Sequence, residues 1–433
     1  MTKLVAGLSA RAAALAAIGD VLRRRRPLDA ALDDAIAQKS LEPRDAGFAR
    51  SIANETFRRF GQIDALIRTF VPRPPAPHRA GPTPEILMIG VCELLFLDVA
   101  PHAAVDAANN LAAADNKAVH FKPLINAVLR RAAKEGHDVL AQKDTTRLNT
   151  PDWMWQRWRD AYGEDRARAI AEVHLAKPPT DFSFKSDNTS LLLDATSLPG
   201  NMQRLTEAGH INALPGYGEG DWWVQDFAAS LSARLFGDVR GKTVIDLCAA
   251  PGGKTMQLAA MGANVIAVER EVSRLERMKT NFERVKLKAQ LVQSDLRDYT
   301  PSEPAQFILL DAPCSATGTI RRHPELPWIK SASDIVLSAQ AAGEYLDAAA
   351  DMLAIGGTLV FAVCSLEPEE GTEQIAAFLA RNDAFERKAI IPSEVFSLCE
   401  FLTRDGDLRT LPCHFADRGG MDGFYGARLT RLR

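Results

Sequence analysis

Five short apolar runs in the second half of the chain lead into residues that can do chemistry. Thr243–Leu247 carries Asp246 and runs into Cys248-Ala249-Ala250-Pro251-Gly252-Gly253-Lys254-Thr255. Val265–Val268 ends in Glu269, and Leu291–Val292 leads to Asp295. Phe307–Leu310 ends in Asp311, with Pro313-Cys314 close behind, and Leu359–Val363 ends in Cys364-Ser365. Short apolar runs that alternate with helical stretches read as strands of a parallel sheet. Ligands of such sheets lie outside the carboxyl ends of the strands. The pattern therefore gathers carboxylates and two thiols around one crevice.

What that crevice holds is narrowed by the glycine-rich turn. Gly253-Lys254-Thr255 invites a phosphate-loop reading, but G-x-x-x-x-G-K-[ST] needs a glycine at 248, where the chain has Cys248. The dinucleotide G-x-G-x-x-G is absent too. The glycines still allow a ligand to approach the backbone closely. Glu269 follows Asp246 by 23 residues, which suits an acid that hydrogen-bonds ribose hydroxyls; taken alone it reads equally as a surface acid. A ribose acid without a pyrophosphate fingerprint points to a nucleoside cofactor lacking a diphosphate. S-adenosylmethionine is the natural candidate, because an acidic crevice suits its cationic sulfonium.

The elements that must position these groups form a βα alternation from about residue 231 onward, a doubly wound and mostly parallel sheet. Leu275, Met278, Phe282 and Val285 mark one helix face. Gly423–Leu429 reads as a late strand, the antiparallel member. Residues 1–140 read as helices: Leu8, Leu15, Ile18 and Leu22 share a face, with Ser9 as N-cap, and Pro27 ends or restarts a helix. Glu85–Leu97 and Phe121–Ala133 are apolar helical segments, and the five prolines between Val71 and Pro84 mark a loop. Between 150 and 230 the character changes. Trp153, Trp155 and Trp158 read as packing residues, Lys177-Pro178-Pro179 breaks the pattern, and β-like runs follow at Phe182–Lys185 and Leu191–Leu193, with turns at Pro199-Gly200 and Pro215-Gly216. The expected organisation is a helical domain over 1–140, a small α/β linker module over 150–230 and a Rossmann-like domain over 231–433.

Composition excludes several classes. The 433 residues are 46% hydrophobic and 25% charged with a net charge of −3, so the chain is neither disordered nor a uniformly basic nucleic-acid binder. Charge is uneven, however: residues 1–79 hold 14 Lys or Arg against eight Asp or Glu. The run Arg23–Arg26 with Arg58-Arg59 reads either as a solvated helix face or as a footprint for phosphate. No apolar run approaches the ~18 residues of a membrane span, and the alanine-rich start does not read as a signal peptide. The six cysteines form no Cys-x-x-Cys pair, so zinc spacing is absent and no metal is expected. Scattered thiols suit a reducing cytoplasm.

The quoted motifs resemble the Sun/Fmu family of RNA cytosine-C5 methyltransferases. The resemblance is carried by Asp246–Thr255 (DLCAAPGGKT), Asp311–Thr319 (DAPCSATGT), Cys364–Glu370 (CSLEPEE) and Asp422–Leu429 (DGFYGARL), with Val224–Ser230 (VQDFAAS) upstream. Phe121–Arg131 (FKPLINAVLRR) resembles the NusB-like helical RNA-binding domain. The resemblance is weakest between 175 and 215, where the family usually shows Arg-Val-Asn after Pro-Pro and this chain has Asp181-Phe182-Ser183-Phe184-Lys185.

That resemblance implies methylation of a cytosine in small-subunit (16S) ribosomal RNA with S-adenosylmethionine as cofactor. Its partner is then ribosomal RNA; apart from the resemblance, the chain is expected to be a monomer in the cytoplasm with no membrane association. By the same resemblance Cys364 is the nucleophile, Cys314 assists resolution of the covalent adduct, and Asp311 contacts the cytosine N3/N4 edge. Asp246, Cys248, Ala249, Ala250, Pro251, Gly252, Gly253 and Lys254 form the cofactor turn. Glu269 lies at the ribose, Asp295 near the adenine, and Arg274 and Asp311 complete the cofactor set. The residues alone leave open which thiol attacks, since DNA cytosine-C5 methyltransferases use a Pro-Cys setting like Pro313-Cys314. Arg321, Arg322 and His323 read as phosphate binders or as a solvated loop. Two other functions fit the same residues: transfer-RNA cytosine methylation, and a non-catalytic RNA-binding assembly factor.

Overall fold

The computed structural model describes residues 7–186 and 194–433. They form two compact units: one holds the chain up to Leu175 together with Arg322–Ser331, and the other holds Ala176–Arg321 and Ala332–Arg433. No helix among the described residues is long and apolar enough to cross a membrane.

The first unit is helical. Its central core joins Ile63, Leu66 and Ile67 of helix Phe60–Phe70, Ile86, Leu87 and Val91 of Thr83–Phe96, and Ile125, Val128 and Leu129 of Lys122–Ala141. Spacings of three and four residues place each set on one helix face, and each large side chain so buried contributes roughly 1.5–3 kcal/mol. The first helix, Leu8–Arg24, begins after Gly7, so Ser9 lies inside the helix and not at the cap. Pro27 caps the next helix, Leu28–Gln38. The proline-rich stretch before Pro84 contains one short helix, Pro77–Ala80. Helices Asp152–Tyr162 and Glu164–His174 also belong to this unit. Trp158 is buried there, and Arg147 and Arg168 lie over the Trp155 ring.

The arginine run is held by the fold itself. Arg23 pairs with the buried Glu85 at 2.5 Å, Arg25 donates to the Ile329 carbonyl, and Arg26 bonds Asp20 and Asp34. Arg58 is buried and donates to the His174 carbonyl. Arg322–Ser331, far along the chain, packs among these helices. Leu28 N–H donates to Glu325 at 3.2 Å, the Trp328 indole donates to the Phe57 carbonyl at 3.0 Å, and the Phe60 and Trp328 rings lie 4.5 Å apart.

The second unit begins with a small antiparallel sheet of β1 (Thr180–Phe184), β2 (Thr196–Leu198), β3 (Met202–Leu205) and β4 (Trp222–Val224), in the order β2-β3-β1-β4. The expected run Leu191–Leu193 lies outside the described residues. The sequence that departs from the family pattern is strand β1. There Asp181 accepts two hydrogen bonds from Arg204, at 2.6 and 2.8 Å, with both residues buried.

The main sheet contains β5 (Thr243–Leu247), β6 (Asn264–Glu269), β7 (Gln290–Gln293), β8 (Ala305–Asp311), β9 (Leu353–Val363), β10 (Phe385–Arg387), β11 (Leu408–Thr410) and β12 (Phe424–Arg431). Its order is β10-β12-β9-β8-β5-β6-β7, with β11 on β12. Strands β5 to β9 pair in parallel, and β12 runs antiparallel to β9. Both faces are covered, which is why the strands read as continuous apolar runs. Ile245, Leu247, Ile308, Leu310, Leu359 and Phe361 face one core, and Val244, Leu309, Val360 and Ala362 face the other. Met278, Phe282 and Val285 of helix Val272–Val285 cover the β6 side, as their spacing predicts.

Candidate active site

The turn after β5 is tightly folded. Cys248 (φ 61°) and Gly252 (φ 100°) are left-handed, and Ala250–Pro251 is a cis peptide. At such a φ glycine alone is free of strain, and a Cβ on Gly252 would meet Met278 at 3.4 Å. Gly252 then caps helix Gly253–Ala260. Asp246 lies beneath this turn, 1% exposed. Its Oδ2 accepts the Thr255 hydroxyl at 2.6 Å, while its buried Oδ1 has no partner. Burial pushes this carboxyl up to about 7; the Thr255 bond opposes the rise, and Asp311 and Glu269 add to it. A buried acceptor with a free oxygen fits a donor or a cationic ligand above the turn.

Beside it, the ends of β5, β6 and β7 open on a crevice of about 60 Å³ lined by Cys248, Glu269, Arg274, Asp295, Pro313 and Tyr345 among others. Glu269 is buried; one oxygen accepts Ala250 N–H at 3.3 Å and the other accepts Glu271 N–H at 3.0 Å. It therefore shapes the turn as well as lining the crevice. Arg274 stands 3.5 Å from Glu269 and donates to the Ala250 carbonyl. The Arg297 fork on Asp295, at 3.0 and 2.9 Å, holds that acid down at about 2. The acidic lining, the glycine cradle and the free Asp246 oxygen fit S-adenosylmethionine.

On the other side, Lys254 Nζ reaches Asp311 Oδ2 at 2.7 Å and lies 4.6 Å from the Phe424 ring centre. Burial opposes its charge, but Asp311 outweighs that and raises its pKa. Cys314 Sγ and Cys364 Sγ are 3.5 Å apart. The contact with Cys364, then burial and the charge of Glu370, push the Cys314 thiol well above its usual value. Gly318 donates to the Cys364 carbonyl at 3.1 Å, and a Cβ there would fall 1.9 Å from the Gly423 carbonyl oxygen. No side chain fits at that crossing.

Comparison with known proteins agrees with this geometry. Residues 235–430 match the family model described as 16S rRNA methyltransferase RsmB/F, and residues 8–134 match the NusB family. The chain is 36% identical to ribosomal RNA small subunit methyltransferase B of Pseudomonas putida, over 98% of this chain and 99% of that protein. The chain belongs to the RsmB/F family. It is an S-adenosylmethionine-dependent 16S rRNA methyltransferase family, and this chain carries a NusB region N-terminal to the matched part. The same-named protein of Cronobacter sakazakii is 34% identical over 87% of this chain and 91% of its own. Among solved structures, PH0851 shares the fold over 99% of both chains at a TM-score of 0.79 and 21% identity. NSun6 from Pyrococcus horikoshii, crystallised with SFG, shares it over 65% of this chain and 98% of its own, at a TM-score of 0.55 and 18% identity.

In this RsmB/F chain the sequence-predicted residues fall into two adjoining groups. Cys248, Glu269, Arg274 and Asp295 line the crevice, while Asp311, Cys314 and Cys364 stand at the ends of β8 and β9, joined to the turn through Lys254. Cys248 also packs against the core, where burial raises its thiol's pKa. Arg321 corrects an expectation. It is 1% exposed and ion-paired with Asp226 and with Asp422, the latter at 2.9 Å, so it cross-links motifs and is closed to phosphate. His323 lies 3.8 Å from Asp29 within the helical unit. Sequence reasoning placed Lys254 with the cofactor and missed its bond to Asp311. It also missed Glu370, although Cys364–Glu370 was one of the quoted motifs; an acid six residues after a reactive cysteine was the available signal.

Proposed function

We propose that this crevice methylates cytosine C5 of 16S ribosomal RNA through a covalent thiol adduct. The observation that carries the reading is the pair of thiols 3.5 Å apart at the ends of β8 and β9, with Asp311 held by Lys254 beside them. Cytosine C5 is a poor nucleophile. Addition of the Cys364 thiolate to C6 converts the ring to an enamine whose C5 is nucleophilic. Asp311 hydrogen-bonds the N3/N4 edge, and Lys254 fixes that carboxyl's position. Bound S-adenosylmethionine supplies an electrophilic methyl on a cationic sulfur; Asp246 and Glu269 give the charge environment for it. Loss of the C5 proton and elimination of Cys364 complete the reaction. Cys314, whose pKa its surroundings raise, assists release. The target base must leave its stack to reach these groups.

The helical residues 1–140 serve as the RNA-binding domain, with 150–230 as linker and 231–433 as the transferase. The protein acts as a cytoplasmic monomer, which light scattering of the purified chain checks. Labelled methyl transfer to small-subunit RNA and to bulk transfer RNA tests the function. Transfer to small-subunit RNA is expected. Transfer to transfer RNA alone gives the rival substrate, and RNA binding without any transfer gives an assembly factor.

A further inference from the structure

Ser315 and Ser365 each directly follow one of the two site cysteines, and both are buried. One carboxylate holds them together. Glu370, 0% exposed, accepts Ser315 N–H on Oε1 at 2.7 Å and the Ser315 hydroxyl on Oε2 at 2.5 Å. The Ser365 hydroxyl also donates to Oε2. The two serine hydroxyls stand 3.4 Å apart, and Ser365 in turn accepts Glu367 N–H at 3.0 Å. Thr317 closes the cluster by accepting Leu366 N–H at 3.0 Å. The two loops follow strands β8 and β9; apart from Glu370 they are tied by Thr317 and by the backbone bonds Gly318–Cys364 and Ala312–Ala362. A buried carboxylate that accepts three hydrogen bonds makes strong, directional ties.

We propose that Glu370 is a positioning residue, which clasps the loop after Cys314 to the loop after Cys364 and thereby sets the distance between the two thiols. The proposal rests on the covalent reading above. The Glu370 carboxylate bonds to Ser315 and Ser365; it acts through the two serines. After the Cys364 contact and burial, its charge also adds to the rise of the Cys314 pKa. Glutamine keeps the volume, but its amide nitrogen cannot accept the bonds that Oε1 or Oε2 now receives.

Glu370→Gln is the direct test. The expected result is a fall in kcat of about 10–100-fold, of the size that misplacing reacting groups produces. KM for RNA and affinity for S-adenosylmethionine should stay within about twofold. The rate of covalent capture of 5-fluorocytidine-substituted RNA should fall in parallel with kcat. In a Ser315→Ala/Ser365→Ala background the same change should cost less than about threefold, because both hydroxyl ties are already cut and the glutamine carbonyl still accepts Ser315 N–H. The pH at which iodoacetamide alkylates Cys314, read by mass spectrometry, should shift downward in Glu370→Gln. Unchanged kcat in a folded variant overturns the proposal, as does an equal loss in the double-alanine background or a loss explained by weaker cofactor binding. If wild-type protein captures no RNA, the covalent reading fails, and the Cys314 alkylation profile still decides the role of Glu370: no shift overturns it. Should Glu370→Gln not fold, the Ser315→Ala and Ser365→Ala variants are read by kcat, KM and covalent capture, with unchanged kcat and capture again overturning it.

Discussion

Cys314 Sγ and Cys364 Sγ lie 3.5 Å apart, beyond the ends of two neighbouring parallel strands. Two thiols this close cannot both ionise readily, since the second negative charge would form against the first. Contact with Cys364, then burial, pushes the Cys314 thiol well above its usual value, in line with the proposal that Cys364 is the attacking sulfur.

Cys364→Ala is therefore expected to abolish methyl transfer. Cys314→Ala should leave enzyme trapped on RNA as a covalent adduct that survives denaturing electrophoresis. A trapped adduct in Cys364→Ala, dependent on Cys314, would reverse the two roles.

Asp246 sets a pH dependence of stability. Its folded pKa of about 7 lies above the 3.8 of the free side chain, so the native state holds its proton more tightly than the unfolded chain. The stabilisation from that proton is complete below about pH 4 and is lost as pH rises towards 7. Asp246→Asn should flatten this part of the cofactor-free melting curve between pH 4 and 7 and weaken S-adenosylmethionine binding. Melting temperature against pH, with and without cofactor, reads both.

Arg321 is expected to act on stability and not on RNA affinity. Arg321→Met leaves Asp226 and Asp422 buried without their cation. Losing one side of a buried pair costs ~3–5 kcal/mol, measurable by urea unfolding. A phosphate role would instead reduce the salt dependence of RNA binding by about one charge in Arg321→Gln; that slope should not change.

Trp328 fastens Arg322–Ser331 to the helices through Phe57 and Phe60. Trp328→Ala should destabilise the helical unit by ~2 kcal/mol, less than the ~3–5 kcal/mol of a fully buried aromatic. Limited proteolysis should then cut within 322–331. Unchanged protection and melting would show that the segment is held by other contacts.

By itself, the sequence determined the site-bearing strands, the order of the motifs and the gathering of the site residues at the strand ends. Strands β5, β6, β8 and β9 were legible because burial on both faces demands unbroken apolar runs, and the acids and thiols stood out where those runs stop. The motif DLCAAPGGKT also showed a tight turn, since its glycines mark backbone that side chains would obstruct. Tertiary structure alone decided which charges meet. Arg321 looked like a surface cation beside a motif, yet partners 95 and 101 residues away draw it into the core. Arg23 and Arg26 looked like a free basic run, yet Glu85, Asp20 and Asp34 take them up. Lys254, Asp311 and Glu370 acquired their roles the same way. Local patterns report periodicity and burial, which depend on near neighbours; ion pairs and hydrogen-bond ties depend on which distant atoms the packed fold brings within about 3 Å.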